Sequence, residues 1–214
     1  MEINVKRFLD LLKEENQHQN LISRQAGPAE MERHVQDSLE GQAWIKEGLE
    51  VVDIGSGAGF PGLVLAMTCP QARFTLIEAD LKKSGFLEAV IKELGLKNVQ
   101  VIRERVEKLG QDKRWREGYD LCTSRAVASV RILLEYGLPL VKPGGRLLMW
   151  KGVNFRQELS EAHNALQTLG GEVEKVITYS LMSSDDRVIV AVKKVRATPD
   201  QYPRRIGVPA KKPL

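Results

Sequence analysis

Residues 51–62 read VVDIGSGAGFPG, and this stretch carries the most informative pattern in the chain. An apolar run ends at Asp53, and Gly55, Gly57 and Gly59 then occupy every second position. A buried strand that leads into a turn without side chains lets backbone N–H groups approach a ligand closely. A tight turn that binds nothing is the alternative, but so many glycines are costly in backbone entropy. The stretch therefore predicts a ligand site at the end of a strand.

A second apolar run follows about twenty residues later and also ends in an acid. Residues 74–77 read FTLI, and Glu78 comes next. An acid at the end of the second strand of such a fold can accept hydrogen bonds from both hydroxyls of a ribose. The alternative role for Glu78 is that of an acid at the N-terminus of the following helix. The two strand ends together predict a cofactor that contains a nucleoside.

The glycine spacing can be aligned with two cofactor motifs. The dinucleotide fingerprint G-x-G-x-x-G matches residues 57–62, but this match begins inside the turn. Counted from the end of the strand, the fingerprint requires glycine where Phe60 stands. The frame D-x-G-x-G-x-G over residues 53–59 instead resembles the first motif of class I S-adenosylmethionine methyltransferases. The pattern favours S-adenosylmethionine over NAD.

Strand-like and helical segments alternate beyond this motif, which predicts a parallel sheet with helices on both faces. Residues 173–179 and 188–195 are rich in β-formers without a helix between them, so we expect an antiparallel hairpin. The predicted fold class is α/β: a Rossmann-like, mostly parallel seven-stranded sheet with this C-terminal hairpin and an N-terminal helical extension. The other predicted strands are 50–54, 73–78, 99–102, 119–123 and 145–150. The predicted helices are 3–15, 28 to about 48, 60–68, 82–95, 129–137 and 155–168, with a turn at 104–109.

The 214 residues are expected to form one methyltransferase domain. Its parts are a helical extension (1–48), a cofactor-binding core (49–195) and a basic, proline-rich tail (196–214) without regular structure. Cys69 and Cys122 lie far apart, and the three histidines show no ligand spacing with them, so we expect neither disulfide nor metal. The sequence also lacks a signal-peptide core or a membrane-spanning run, which predicts a cytoplasmic protein.

Positive charge is clustered although the net charge is only +4. Such clusters suit a phosphate backbone, but they are equally typical of a solvated surface. One cluster lies between the third and fourth strands and the other lies in the tail. Their members are Arg103, Arg105, Lys108, Lys113, Arg114, Arg116, Arg204, Arg205, Lys211 and Lys212.

The end of the fourth strand, TSRA at residues 123–126, narrows the chemistry. Methyltransferases that act on exocyclic amines typically carry Asp/Asn-Pro-Pro-aromatic there, and that motif is absent. Cys122 lies inside the predicted strand, which disfavours it as a nucleophile for cytosine C5. Arg125 carries five donors and can bind a base edge, a phosphate or the cofactor's carboxylate. Residues 103–107, after the third strand, could address adenine or form a solvated turn.

Several further motifs together make a more specific match, which covers essentially the whole chain. The chain resembles the bacterial 16S ribosomal RNA guanine-N7 methyltransferases, also called the glucose-inhibited division protein B family. The matching segments are NLI (20–22), RHVQDSL (33–39), DIGSGAGFPG (53–62), SRAVA (124–128), KG (151–152) and YPRRIGVP (202–209).

The resemblance implies methyl transfer from S-adenosylmethionine to N7 of a guanine in the 530 loop of the 16S rRNA, guanine 527 in conventional rRNA numbering. It implies 16S rRNA or the small subunit as partner, and we expect a monomer. The implied catalytic set is Arg125, Lys151, His34 and Asp37. The expected cofactor contacts, including those of the glycine motif, are Asp53, Gly55, Gly57, Gly59, Phe60, Glu78, Val106, Glu107 and Arg125.

Guanine N7 carries a lone pair and no proton, so its methylation needs no general base. Alignment and electrostatics would then do the catalytic work. Arg125 or Lys151 could donate to guanine O6, although positive charge beside a base that becomes cationic opposes transfer. Three other functions remain open from the residues alone: a small-molecule methyltransferase, an NAD-dependent oxidoreductase, and an RNA-binding assembly factor without activity.

Overall fold

In the computed structural model, which describes residues 2–23, 26–181 and 185–214, seven strands form one sheet in the order β3-β2-β1-β4-β5-β7-β6. Strands β1 to β5 are parallel, and β7 runs antiparallel to both β5 and β6. The predicted fold class and C-terminal hairpin are therefore confirmed. The strands are β1 Glu50–Ile54, β2 Arg73–Ile77, β3 Val99–Ile102, β4 Tyr119–Arg125, β5 Val141–Lys151, β6 Gly171–Leu181 and β7 Asp185–Lys194.

Helices cover both faces of the sheet, because alternate strand residues point to opposite sides. On one face, Val52 and Ile54 belong to the same apolar cluster as Leu134 of α6. On the other face, Val51 packs in a cluster with Leu65 of α3. The helices are α1 Glu2–Glu15, α2 Pro28–Leu39, α3 Gly62–Thr68, α4 Leu81–Glu93, α5 Val106–Gln111, α6 Val130–Gly137, α7 Phe155–Ser160, α8 His163–Leu169 and α9 Val208–Lys211. Short 3-10 turns cover Gln42–Trp44 and Leu138–Leu140.

Four details of the predicted elements differ from the structure. The helix expected to reach about residue 48 ends at Leu39, the one expected over 155–168 is two helices, and the turn at 104–109 is the start of α5. The tail was expected to have no regular structure, and this is wrong for α9. The reason is that Pro209 stands in the first turn of α9, where proline's missing N–H is not needed and its φ already suits a helix.

The tail is seated on the body of the protein by two arginines. Arg116 donates to the carbonyl oxygens of Gly110, Tyr202, Thr198 and Pro199 at 2.6 to 3.2 Å. A second arginine, Arg204 of the tail, forms a bidentate ion pair with Glu135 of α6. Its Nη2 lies 2.6 Å from Oε2 of Glu135, and Glu135 is fully buried. Arg204 and Arg116, which belong to the two basic clusters, therefore use their donors within the protein.

Candidate functional site

The carboxyl ends of the parallel strands open into three adjoining chambers. The central chamber, about 510 Å³, lies between the glycine turn and α2. The α5 chamber, about 310 Å³, shares Gly55 and Glu78 with it. The β5 chamber, also about 310 Å³, shares Asp37 and Arg125 with the central one. Each chamber also has lining residues of its own. Gly57, Phe60 and His34 line the central chamber. The α5 chamber has Val106, Glu107, Tyr136 and Ala210, and the β5 chamber has Trp150, Lys151, Asn154 and Glu158.

Gly55 keeps the passage between the central and α5 chambers open. Its φ is +67°, a conformation that side chains other than glycine rarely adopt. A Cβ placed on Gly55 would lie 2.5 Å from Cγ2 of Val127, which is far inside van der Waals contact. The sequence has glycine here because both the backbone angle and the space require it.

Glu78 is held at the rim of the same passage by backbone donors. The Gly57 N–H donates to its Oε2 at 2.9 Å, and the Asp80 N–H donates to its Oε1 at 2.8 Å. The alternative role considered for Glu78, at the helix N-terminus, belongs to Asp80, which accepts from the first amides of α4. Each Glu78 oxygen has a further lone pair, so this fixed carboxylate can still accept hydrogen bonds from two hydroxyls.

Asp53 and Gly59 lie beneath the turn rather than along the chambers. Asp53 is fully buried, and its Oδ1 accepts a 2.6 Å hydrogen bond from Thr123 Oγ1, whereas its Oδ2 has no partner. Burial raises the pKa of Asp53 to about 6. A Cβ on Gly62 would come within 2.6 Å of Oδ2, so the carboxylate abuts the start of α3. Asp53 and Gly59 therefore support the glycine turn and do not line any of the three chambers.

The raised pKa of Asp53 predicts a pH dependence of stability. Because the folded state holds this proton more tightly than the unfolded chain, stability falls as pH rises from about 4 through about 6. Asp53→Asn should remove this fall, which is on the order of 3 kcal/mol. Urea unfolding of both proteins across this range measures it, with the exposed Asp10→Asn as control. Equal slopes for wild type and Asp53→Asn would contradict the assignment.

Arg125 and Asp37 form the polar centre between the central and β5 chambers. Arg125 Nη1 donates to Asp37 Oδ2 at 2.7 Å, and its guanidinium lies 4.9 Å from the centre of the Phe60 ring. Asp37 Oδ1 accepts a 2.6 Å hydrogen bond from the Tyr179 hydroxyl. The Trp150 indole N–H donates to the backbone carbonyl of Asp37 at 2.7 Å. These contacts lock a cation in place at the carboxyl end of β4.

Sequence reasoning missed Tyr179 and Trp150. Tyr179 is 142 residues away from Asp37 along the chain, and neither residue belongs to a recognisable motif. Their place beside Asp37 depends on how the C-terminal hairpin continues the sheet. The sequence offered one signal: residues two apart in a strand point to the same face, so Tyr179 had to share a face of β6 with Ile177.

The remaining predicted catalytic residues, His34 and Lys151, also reach the cleft. The His34 ring stacks 5.3 Å from that of Phe60, and burial together with the Arg125 charge lowers the pKa of His34. The imidazole is therefore neutral near pH 7. Lys151 Nζ lies 2.6 Å from Glu158 Oε2 and donates to the Ala128 carbonyl at 2.9 Å. The structure thus brings the four predicted catalytic residues to one cleft, with both cations already ion-paired.

Glu107 in the α5 chamber has one oxygen, Oε2, that is ion-paired with Arg105, whose Nε atom lies 3.7 Å away, but accepts no hydrogen bond. The residue is 2% exposed, and its Oε1 accepts a 3.0 Å hydrogen bond from the Gly207 N–H. Its Oε2 is buried and has no hydrogen-bond partner. Because buried polar atoms are nearly always satisfied, this oxygen needs a donor such as an exocyclic amino group. The open passage at Gly55, the Glu78 carboxylate and this oxygen fit an adenosine group.

The two basic clusters predicted from the sequence meet along one groove. This basic groove, about 1040 Å³, runs between α5 and the tail. Lys108 and Arg114 are paired with Glu104 and Asp112, respectively. Arg103 and Arg205 also line it, and neither has an ion-pair partner within the described part of the chain. The groove adjoins the α5 chamber, with which it shares Glu104 and Glu107.

Among residues 2–23, 26–181 and 185–214, no group of three or more His, Cys, Asp or Glu side chains could hold a metal ion. Within these ranges, no helix has both the length and the apolar character needed to span a membrane. Cys69 and Cys122 are both buried free thiols.

Comparison with known proteins supports the family resemblance. Residues 1–188 match the family model described as GidB, rRNA small subunit methyltransferase G. The chain is 54% identical to the ribosomal RNA small subunit methyltransferase G of Syntrophomonas wolfei, covering 100% of both chains. It is 39% identical to the protein of that name from Leuconostoc citreum, covering 98% of this chain and 89% of the relative.

Solved structures independently match the fold. M. jannaschii TYW2 in complex with AdoMet superposes with a TM-score of 0.61, at 14% identity, over 80% of this chain and 79% of that chain. At this identity the likeness concerns the fold alone. The sequence relatives and the family model go further: the chain belongs to the rRNA small subunit methyltransferase G family, which uses S-adenosylmethionine.

Proposed function

We propose that the protein methylates N7 of a guanine in the 530 loop of the 16S rRNA, guanine 527 in conventional numbering, and that it acts as a cytoplasmic monomer. Membership of the family makes it an rRNA small subunit methyltransferase. The observation that carries the finer proposal is the state of the cleft's polar groups. Arg125 and Lys151 are each ion-paired, and the Asp37 carboxylate already accepts hydrogen bonds from Arg125 and Tyr179. Such a site suits an acceptor that loses no proton.

The cofactor's parts would be held by different chambers. Gly55, Gly57, Phe60 and Glu78 would hold the ribose and the amino-acid part, and the α5 chamber residues Val106 and Glu107 would hold the adenine. When bound, S-adenosylmethionine supplies a methyl group on a positively charged sulfur. Phe60 is fixed for this role by its contacts with Arg125 and His34. Asp53 and Gly59 would support the turn.

The ion pairs in the β5 chamber bear on how a guanine could be bound. A base methylated at N7 becomes cationic, so an isolated positive charge beside it would oppose the transfer. Lys151 is neutralised by Glu158, and Arg125 is neutralised by Asp37. Each cation keeps N–H donors beyond those that its acid accepts. We therefore propose that Lys151 and Arg125 orient the base through hydrogen bonds without adding net charge, that Asp37 positions Arg125, and that neutral His34 supports the Phe60 ring.

The assay for this function combines methyl-labelled S-adenosylmethionine with 16S rRNA and with small ribosomal subunits. Mild reduction followed by aniline cleaves RNA at N7-methylguanosine, so sequencing of the cleaved ends maps the modified nucleotide. We expect a single site, in the 530 loop. Label incorporated at another atom or in another loop would refute the finer proposal while leaving the family assignment intact. Light scattering of the same sample tests the monomer.

The basic groove predicts a steep salt dependence of RNA binding. Each phosphate contact on single-stranded RNA contributes about 0.7 to the slope of log affinity against log salt. Because Arg103 and Arg205 line the groove and form no ion pair with any residue that the structure describes, the double variant Arg103→Ala/Arg205→Ala should reduce the slope by about 1.4. Filter binding of a 530-loop fragment between low and physiological salt measures the slope.

The control for this experiment is Arg7→Ala, because Arg7 pairs with Glu93 at the exposed surface of α1 and lies outside the basic groove. We expect Arg7→Ala to have the wild-type slope. If the double variant also retains the wild-type slope, the groove does not contact phosphates, and the solvated-surface interpretation of the clusters is correct.

A further inference from the structure

We infer that tail residues 207–211 form a wall of the cofactor site, and that Glu107 couples the seating of this wall to binding of the cofactor's adenosine part. The inference rests on the proposed binding of S-adenosylmethionine in the cleft. It concerns a segment beyond residue 188, where the family model match ends. In the sequence, this segment had indicated a basic tail for phosphate contacts and part of the family resemblance, but no wall of the cofactor site.

Glu107 is the physical link between the tail and the cleft. One carboxylate oxygen, Oε1, accepts the Gly207 N–H from the tail at 3.0 Å. The other, Oε2, is buried, accepts no hydrogen bond and forms an ion pair with Arg105, whose Nε atom lies 3.7 Å away, and Glu107 itself lines the α5 chamber. A carboxylate is rigid and planar, so a donor that fixes Oε2 also fixes the direction of Oε1. Occupancy of the chamber and the tail hydrogen bond therefore stabilise each other.

The tail also contributes directly to the chamber's surface. Ala210 of α9 lines the α5 chamber together with Tyr136 and Glu107. Ala210 is an exposed residue, so it can be substituted there without disturbing the core. Gly207, at the N-terminus of α9, has a φ of +77°, which turns the chain so that α9 follows immediately after the Glu107 contact. A tail that detached here would open the chamber to water.

Contacts of the segment before residue 207 fix the position of the wall relative to α5 and α6. The Arg204–Glu135 ion pair is supplemented by an Arg204 hydrogen bond to the Lys212 carbonyl at 2.8 Å, which ties both ends of the segment together. Gln111, at the end of α5, donates to the Pro203 carbonyl at 2.7 Å. The wall is thus clamped to α5 and α6, the two helices that line the same chamber.

A matched pair of substitutions on α9 tests the wall. Ala210→Phe adds a ring that faces the α5 chamber, whereas Lys211→Phe adds the same ring to an exposed neighbour outside it. Both positions are exposed, so thermal unfolding should be close to that of the wild type. By calorimetry with S-adenosylhomocysteine, we expect Ala210→Phe to bind at least about fivefold more weakly than Lys211→Phe, within the usual range of site coupling. A smaller difference overturns the inference.

Hydrogen exchange tests the coupling in the unmodified chain. Because coupling between two sites is reciprocal, a ligand that gains affinity from the seated tail must protect the tail by the same factor. The Gly207 amide should therefore exchange at least about fivefold more slowly at saturating S-adenosylhomocysteine. The Glu50 amide, which donates to Asp120 Oδ2 at the start of β1 and lines none of the three chambers, provides the internal control.

Unchanged exchange at Gly207 in the saturated protein would refute the coupling, even if Ala210→Phe weakened binding. If wild-type protein fails to bind S-adenosylhomocysteine at all, the cofactor assignment itself fails and the inference falls with it. If binding is normal but both tail tests are negative, only the role of the tail is overturned. Because neither readout uses methyl transfer, the identity of the methylated base has no influence on the outcome.

Discussion

Arg125→Ala is expected to lower the rate of methyl transfer at saturating S-adenosylmethionine and RNA by about 100-fold or more. Truncating one partner of a buried charge pair typically costs about 2–5 kcal/mol, and about 2.7 kcal/mol in the transition state corresponds to 100-fold. In this variant the Asp37 carboxylate, 4% exposed, would lose the Arg125 donor and keep the hydrogen bond from the Tyr179 hydroxyl. Single-turnover kinetics with mapped rRNA fragments measures the rate.

Two further variants separate chemistry from folding. Arg125→Lys keeps a cation but loses the planar fork, so its rate should fall between those of the wild type and Arg125→Ala. Arg7→Ala breaks the exposed Arg7–Glu93 pair and should have the wild-type rate and stability. Circular dichroism and thermal unfolding check that each variant is folded at the assay temperature. A folded Arg125→Ala protein with a wild-type rate and wild-type affinity for the cofactor would exclude Arg125 from the site.

Gly55→Ala is expected to weaken the binding of S-adenosylmethionine by about 100-fold or more. The added Cβ would lie 2.5 Å from Val127 Cγ2 and would close the passage between the central and α5 chambers. The φ of +67° at residue 55 adds a backbone cost of about 1–2 kcal/mol for any residue with a Cβ. Calorimetric titration with S-adenosylmethionine and with its demethylated product measures the loss.

The chain offers a matched control and a rescue for this prediction. Gly85→Ala places the same methyl group in α4, where a Cβ meets nothing within 4 Å, and should stabilise the protein by about 0.5–1 kcal/mol. The double variant Gly55→Ala/Val127→Ala removes the clashing methyl groups and should recover part of the affinity. If Gly55→Ala binds the cofactor as tightly as Gly85→Ala does, the passage is not part of the cofactor site.

Local patterns predicted most of the secondary structure, and their failures have identifiable causes. The continuous apolar runs in residues 50–54 and 73–78 are what burial of both sheet faces requires, and β1 and β2 lie where expected. The tail was misjudged because four prolines between residues 199 and 213 were interpreted as breaks, whereas Pro209 begins α9. Each proline lacks an N–H donor, but its segment can still dock through carbonyl groups, as the contacts of Arg116 show.

The sequence by itself determined the fold class, the family and the strand ends where the cofactor site lies, because periodicity and glycine spacing are local properties of the chain. Only the tertiary structure decided which charges are available. Arg125 is joined to Asp37, Lys151 to Glu158, and Arg204 to Glu135. The tertiary structure also brought the Tyr179 hydroxyl to Asp37 and the Gly207 N–H of the tail to Glu107. The physical reason is that charge pairing and burial depend on distances between segments far apart in the chain, and no local pattern encodes those distances.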